Sequence, residues 1–128
     1  METEGRKDDV GKPRWDLLPA GPMLKLVEVY TIGANKYADH NWRKGLKYGR
    51  VIRAMLGHTF AWVNGERLDP EDGQHHLASV AWCALALMEL EETRPDLDDR
   101  WCSSPDRVQV IDPLVLENAQ REISRLMR

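Results

Sequence analysis

The chain has 128 residues, 30% of them charged, and a formal net charge of −3, which fits a single soluble domain with one hydrophobic core. The mild negative charge argues against non-specific binding to duplex DNA, and we expect no nucleic-acid partner. The polar N-terminus has no apolar segment of the signal-peptide kind, and the longest apolar run, residues 77–90, is too short to cross a bilayer. We therefore expect a cytoplasmic protein without a membrane partner.

The N-terminal part of the chain predicts an arm followed by a first helix. Residues 1–21 carry glycine and proline at intervals, which favours an extended or irregular segment. Pro22 suits the first position of a helix, and apolar residues at helical spacing continue to about Ala38. Gly33 lies inside this helix at a cost of about 1 kcal/mol relative to alanine. It therefore marks close packing or the close approach of a ligand.

A polar connection at residues 39–47 precedes a second predicted helix from about Tyr48 to Val63. Asn64-Gly65 ends that helix, because glycine supplies the left-handed residue that helix C-termini commonly need.

The third helix is predicted to begin at Pro70, with Asp69 as its N-cap, and to end near Glu92. It is apolar nearly all round between Ala78 and Met88, which predicts the central and most buried helix.

A loop at residues 95–112 leads to a last predicted helix from Pro113 to about Met127. No segment alternates with a period of two, so the prediction is an all-α bundle of four to five helices. We expect one domain over residues 1–128, made of the arm at 1–21, a catalytic helical core at 22–92, and a loop plus C-terminal helix at 93–128. The amphipathic last helix is a candidate for packing on another subunit.

Carboxylates cluster between the second and third helices. They are Glu66, Asp69, Glu71 and Asp72. Hard divalent cations such as Mg²⁺ and Mn²⁺ prefer oxygen ligands, often a few carboxylates plus substrate phosphates. The alternative is structural, since Asp69 can cap a helix and Glu71 and Asp72 can complement its dipole.

Two histidines are predicted to face each other below this acidic stretch. His58 lies about two turns before Gly65, and His76 about two turns after Asp69, on helices that should pack antiparallel. That placement suits metal ligation, substrate hydrogen bonding or support of another ligand. A partly buried histidine with a structural hydrogen bond is the alternative.

Basic, amide and aromatic residues form a further candidate set, suited to phosphates and to a purine ring. The set consists of Lys12, Arg14, Lys36, Tyr37, Asn41, Trp42, Arg43, Lys44, Arg50 and Arg53. A solvated charged loop anchored by two aromatic side chains is the alternative. The sequence has no phosphate-binding glycine loop of the known types, no histidine directly followed by aspartate and no recognisable nucleophile setting.

Several separated motifs together resemble one known family. They are GKPRWDLLP at 11–19, GANKY at 33–37, NW at 41–42 with Gly45, and the block of His58, GE at 65–66, DPE at 69–71, Gly73 and HL at 76–77. Over roughly residues 9–92 the chain is similar to the phage and bacterial dATP/dGTP diphosphohydrolase domain, within the all-α MazG/HisE-like NTP pyrophosphohydrolase group. The phage members of the MazZ type cleave dGTP in a pathway that places 2-aminoadenine in the genome.

The resemblance implies metal-assisted attack of water on the α-phosphate of a purine dNTP, with dGTP favoured and GTP or dATP as other candidates. Two or three Mg²⁺ or Mn²⁺ ions and a homodimer or homotetramer are implied as well, in a host cytoplasm if the chain is phage-encoded. The implied catalytic residues are Glu66, Asp69 and His58, and the implied metal ligands are Glu66, Asp69, Asp72 and Glu28. The implied substrate-binding residues are Lys12, Arg14, Lys36, Tyr37, Asn41, Trp42, Arg53 and His76.

This sequence departs from the wider group in its carboxylates. Glu66 and Asp69 keep an ExxD spacing at a helix junction, whereas Glu28 is the one carboxylate well inside an apolar helix. Ser79 stands where relatives are expected to carry a second histidine. Two other functions stay open on the sequence: a non-catalytic helical phage assembly or regulatory protein, and a phosphohydrolase that releases phosphate or triphosphate.

Overall fold

The computed structural model describes residues 3–101 and 111–127, and within these ranges it contains helices and no β-strand. The all-α prediction is confirmed. The four α-helices are α1 (Ala20–Lys36), α2 (Tyr48–Val63), α3 (His76–Thr93) and α4 (Pro113–Leu126). Short 3-10 helices lie at Trp15–Leu17, Asn41–Lys44 and Pro95–Leu97. The middle of the predicted loop at 95–112 lies outside the described residues.

Contacts between backbone positions divide the chain into two compact units. One unit runs from Pro19 to Pro105 and contains α1, α2 and α3, and the other combines Met1–Leu18 with Asp106–Arg128 and contains α4. A search for membrane-spanning helices among the described residues found none with the required length and hydropathy.

The third helix is the centre of the larger unit, as predicted. Both α1 and α2 pack against α3. Apart from Ala78, its buried residues recur at alternating steps of three and four positions, namely His76, Ser79, Cys83, Ala86 and Leu90. This spacing forms one stripe along a helix, and the small side chains in its middle allow neighbouring helices to approach closely.

The start of α3 differs from the prediction. The helix begins at His76, six positions after Pro70, and the His75 ring accepts the capping hydrogen bond from the Leu77 amide at 3.1 Å. Asp69 caps no helix, because its Oδ1 accepts instead from the Glu71 amide at 2.9 Å within a turn. Aspartate followed by proline suits both a helix start and such a turn. At the last helix the same pair does begin a helix, because Asp112 Oδ1 accepts from the Leu114 amide at 2.8 Å and Pro113 is the first helical residue.

Three long-range hydrogen bonds fix the end of the larger unit opposite the acidic loop. The buried Tyr48 hydroxyl donates to the carbonyls of Leu90 at 2.8 Å and Arg94 at 3.1 Å, which also accept from the backbone amides of Arg94 and Leu97. Asp99 Oδ1 accepts from the Gly49 amide at 2.7 Å and so caps the first turn of α2 from a distant loop.

Replacing Tyr48 with phenylalanine is expected to lower the free energy of unfolding by about 0.5–1.5 kcal/mol, because the hydrogen bond from its hydroxyl to these carbonyls would be lost. The midpoint of denaturant unfolding, followed by circular dichroism at constant slope, measures this change. Tyr37→Phe is the matched control, since Tyr37 is 64% exposed and its hydroxyl has no hydrogen bond within the described part of the chain. Equal midpoints for the Tyr48→Phe protein and the unmodified chain would contradict the role assigned to this hydroxyl.

Candidate metal and nucleotide site

The position of Glu66 is set by the turn that ends α2. Gly65 has a φ of +96°, and its amide donates to the Trp62 carbonyl at 3.0 Å. The Glu66 amide donates to the Ala61 carbonyl at 3.0 Å, which completes a Schellman motif. The left-handed residue that ends α2 therefore turns the chain so that Glu66 follows immediately at the helix end.

The loop between α2 and α3 is closed by its own backbone. The Asp69 amide donates to the Gln74 carbonyl at 2.8 Å, and the His76 amide donates to the Arg67 carbonyl at 3.0 Å. Gly73, with a φ of +74°, donates its amide to the Asp69 carbonyl at 2.7 Å. These bonds hold the Asp69 side chain over the junction of the two helices, with Oδ1 in the turn and Oδ2 at 3.8 Å from His58 Nδ1.

His58 and His76 face each other as predicted. Their Nδ1 atoms are 2.8 Å apart, and their ring centroids are 5.1 Å apart. His76 is 4% exposed, and its Nε2 lies 2.7 Å from Glu66 Oε1. An ionised carboxylate only accepts hydrogen bonds, so His76 Nε2 is the donor in that pair.

Three of these side chains could hold one metal ion. One ligand atom each from His58, Asp69 and His76 lies within 4.8 Å of the other two. Two imidazole nitrogens with one carboxylate oxygen form a ligand set that binds first-row transition ions, and the half-buried to buried surroundings exclude much of the competing water. The residues present therefore fit a divalent ion. The carboxylate of Glu66 contacts His76 instead and does not belong to this three-residue group.

A cavity of about 1050 Å³ opens beside this group, within the larger unit. His58, Asp69 and Asp72 line it together with the C-terminal part of α1 and the 3-10 helix that follows. The cavity is wide enough for a ligand of the size that protein pockets commonly bind.

Three aromatic rings line another part of the cavity wall. Tyr30, Trp42 and Trp82 are all half-buried, and their ring centroids lie 6.1–6.4 Å apart in tilted or edge-on pairs. Arg43 lies 5.0 Å from the Trp42 ring and forms a 2.8 Å ion pair with Glu89 on α3. These contacts hold Trp42 in place, with the cavity on its free side.

Positive charge at the cavity comes from Lys36 and Arg50. Lys36 lies at the end of α1, with its amine 5.3 Å from the centre of the Tyr37 ring. Arg50 lies in the first turns of α2, and no acidic partner within the described ranges pairs with either cation. Both are therefore free to contact an anionic ligand.

Apart from Glu66, which contacts His76, the predicted substrate-binding and metal residues divide into three groups by position. Those on the cavity wall or in the histidine group are Lys36, Tyr37, Asn41, Trp42, His58, Asp69, Asp72 and His76. Arg53 and Glu28 are exposed and do not line the cavity. Lys12 and Arg14 belong to the smaller unit, where Arg14 pairs with Asp16 at 2.7 Å.

Sequence reasoning missed Tyr30 and Trp82 as site residues, and it named Arg50 only within the wider candidate set, choosing Arg53 in its place. Helical spacing was the available signal for Arg50. Positions 50, 54 and 58 follow one another at steps of four, so Arg50 and Ala54 lie on the same face of α2 as His58, and all three line the cavity. Arg53 lies one position before that line and points elsewhere. Tyr30 and Trp82 come from α1 and α3, and only the packing of these helices brings their rings together.

Cys83 also lines the cavity, but its chemistry is that of a buried thiol. Burial raises the pKa of the Cys83 thiol to about 11, so the group stays protonated near neutral pH. It therefore supplies no thiolate nucleophile.

Comparison with known proteins gave one finding. Neither the curated proteins nor the solved structures include a match to this chain. A family model described as "dATP/dGTP diphosphohydrolase, N-terminal" matches residues 2–100, which extends the resemblance beyond the motifs on both sides. This match covers well over half of the 128 residues, so the chain belongs to the dATP/dGTP diphosphohydrolase N-terminal family and is a deoxynucleoside triphosphate diphosphohydrolase.

Proposed function

We propose that this enzyme uses a divalent ion to convert a purine dNTP, with dGTP favoured over GTP and dATP, to the monophosphate and pyrophosphate. The observation that carries the proposal is one cavity whose wall contains two members of the metal-ligating group, His58 and Asp69, together with two cations and a cluster of aromatic rings. These are the partners required by a metal ion, a triphosphate and a purine base. Membership of the family speaks against the non-catalytic alternative.

The residues around the triphosphate have separate roles in this proposal. An ion bound by His58, Asp69 and His76 would neutralise phosphate charge and make water more acidic. Arg50 binds phosphate oxygens through its guanidinium fork, and Lys36 acts as a mobile point charge. Asp72 Oδ1 accepts from the Gln74 amide at 2.9 Å, which leaves Oδ2 for a second ion or for the proton of the attacking water. Attack at the α-phosphorus breaks the α–β anhydride bond.

The choice of ion follows from the ligand atoms. Mg²⁺ binds almost only oxygen and keeps several waters. The group of His58, Asp69 and His76 offers two ring nitrogens and one carboxylate, which transition ions accept more readily. We propose Mn²⁺ as the better cofactor and Mg²⁺ as the weaker one.

The base is proposed to lie against Trp42, beside the amides of Asn35 and Asn41. Both amides line the cavity, and neither side chain makes a hydrogen bond within residues 3–101. Each amide offers a donor and an acceptor, so the two together suit the N1–H, N2–H and O6 groups of guanine. This pairing supports dGTP as the preferred substrate.

A homodimer or homotetramer is the proposed assembly, and light scattering in solution tests it. Leu56, Phe60 and Val63 form an exposed apolar line on α2, each at least 47% exposed. The resemblance to phage enzymes supports a role in the nucleotide pool of a phage, including the 2-aminoadenine pathway.

Incubation of the pure protein with dGTP, dATP, GTP and dCTP tests the reaction, with products resolved by ion-exchange chromatography. We expect a nucleoside monophosphate and pyrophosphate in equal amounts, faster turnover with Mn²⁺ than with Mg²⁺, no turnover in EDTA, and a preference for dGTP. Release of orthophosphate or of intact triphosphate would contradict the proposed reaction and favour another phosphohydrolase.

Asp69→Asn is expected to lower kcat/KM for dGTP by about 100-fold or more, because the variant loses the anionic ligand of the ion. Asparagine can still accept the turn hydrogen bond from the Glu71 amide, so the loop should keep its shape. The matched control is Glu92→Gln, an exposed residue in the last turn of α3. Unchanged kinetics in the Asp69→Asn protein would exclude Asp69 from the metal group.

Arg50→Gln is expected to raise KM for dGTP by about tenfold, since a charge-assisted hydrogen bond contributes about 1.5–3 kcal/mol. Arg53→Gln provides the comparison, because it removes the same charge from the same helix three positions away. Steady-state kinetics at low ionic strength should show the larger effect at Arg50. Equal effects of the two substitutions would mean that general surface charge, and not placement in the cavity, assists substrate binding.

A further inference from the structure

The side chain of Glu66 contacts Nε2 of His76, whereas Nδ1 of the same ring faces His58. Glu66 Oε1 accepts from His76 Nε2 at 2.7 Å, and the Schellman turn fixes the backbone that carries this carboxylate. The Glu66 side chain is 49% exposed, whereas His76 is almost completely buried. The Glu66 carboxylate therefore lies between His76 Nε2 and the solvent.

This hydrogen bond decides which nitrogen of His76 is free. In a neutral imidazole one nitrogen donates and the other accepts. With the proton on Nε2, the lone pair of His76 lies on Nδ1, and Nδ1 is the atom that faces His58 at 2.8 Å. His58 then donates from its own Nδ1, so Glu66, His76 and His58 form one ordered chain of hydrogen bonds.

We propose that Glu66 is a positioning residue that fixes the tautomer of His76, and that both histidines bind the ion through Nδ1. This inference rests on the proposed metal-dependent function. Carboxylates that orient ligating histidines in this way keep the ring aligned and make its free nitrogen a better ligand. Glu66 thus acts through His76, although its sequence position suggests a direct ligand.

The arrangement requires one proton to move when the ion binds. Without metal, the proton of His58 lies on Nδ1, where it is shared with His76. Binding through Nδ1 of both rings requires that proton to leave Nδ1 and another to be taken up at Nε2 from solvent, with no net change. His76 keeps its proton on Nε2 throughout, because Glu66 accepts it.

Long-range ¹H–¹⁵N correlation spectra of the metal-free protein test the tautomers directly, with the ring signals assigned through single-histidine variants. We expect His76 protonated on Nε2 and His58 on Nδ1. Titration with diamagnetic Zn²⁺ should move the His58 proton to Nε2 and leave His76 unchanged. A His76 protonated on Nδ1, or mixed tautomers in the unmodified protein, would overturn the proposal.

Affinity for Mn²⁺ and Zn²⁺, measured by calorimetry, separates positioning from direct ligation. Glu66→Ala should weaken binding by about 10- to 100-fold and leave His76 as a mixture of tautomers. Glu66→Gln should recover much of the loss, since its amide oxygen can still accept from Nε2, and Glu92→Ala serves as the matched control. If Glu66→Gln binds as poorly as Glu66→Ala, Glu66 is a ligand and the inference is wrong.

These measurements also separate this inference from the proposed function. Absence of metal binding by the unmodified protein would contradict the proposed metal dependence, whatever the tautomers are. Normal metal affinity in the Glu66→Ala protein would leave the metal dependence intact and would overturn only the role of Glu66.

Discussion

A buried imidazole with a partner on each ring nitrogen is the constraint around which this site is built. His76 sits at the first turn of α3 with 4% of its surface exposed, so both nitrogens need protein partners. Glu66 satisfies one and His58 the other. The bend between α2 and α3 therefore has to bring two side chains to the ring of His76. One is Glu66 at the end of α2, and the other is His58, about two turns earlier in the same helix.

The turns of this bend follow from that requirement. Gly65 and Gly73 both take positive φ, which glycine adopts without steric cost, and each sits where the chain reverses. The hydrogen bonds that close the loop leave one oxygen of Asp69 facing the histidines and one oxygen of Asp72 available at the cavity. The loop thus holds two carboxylates in fixed positions, which suits the proposed binding of a metal ion and phosphates together.

Much of this arrangement could be predicted from the sequence, because it depends on spacing along helices. The facing histidines follow from counting turns on either side of the acidic stretch, and the end of α2 follows from Asn64-Gly65. The start of α3 could not be predicted, since Asp69-Pro70 suits a helix cap and a turn equally well. The left-handed conformation of Gly73 and the backbone hydrogen bonds to Arg67 and Gln74 decide between them, and these depend on the whole loop and not on the dipeptide. The rings of Tyr30, Trp42 and Trp82 could not be grouped from the sequence either, because they come from different helices and only the packing of those helices brings them together.

Placement of the ion beside the α-phosphate is the central claim, and anomalous diffraction at the manganese edge tests it most directly. Crystals would be grown with Mn²⁺ and an α,β-imido analogue of dGTP, which cannot be cleaved. The account predicts an anomalous peak bonded to His58 Nδ1, His76 Nδ1 and an Asp69 oxygen, with the guanine against Trp42. Nucleotide bound in the cavity without manganese at these three side chains would contradict it.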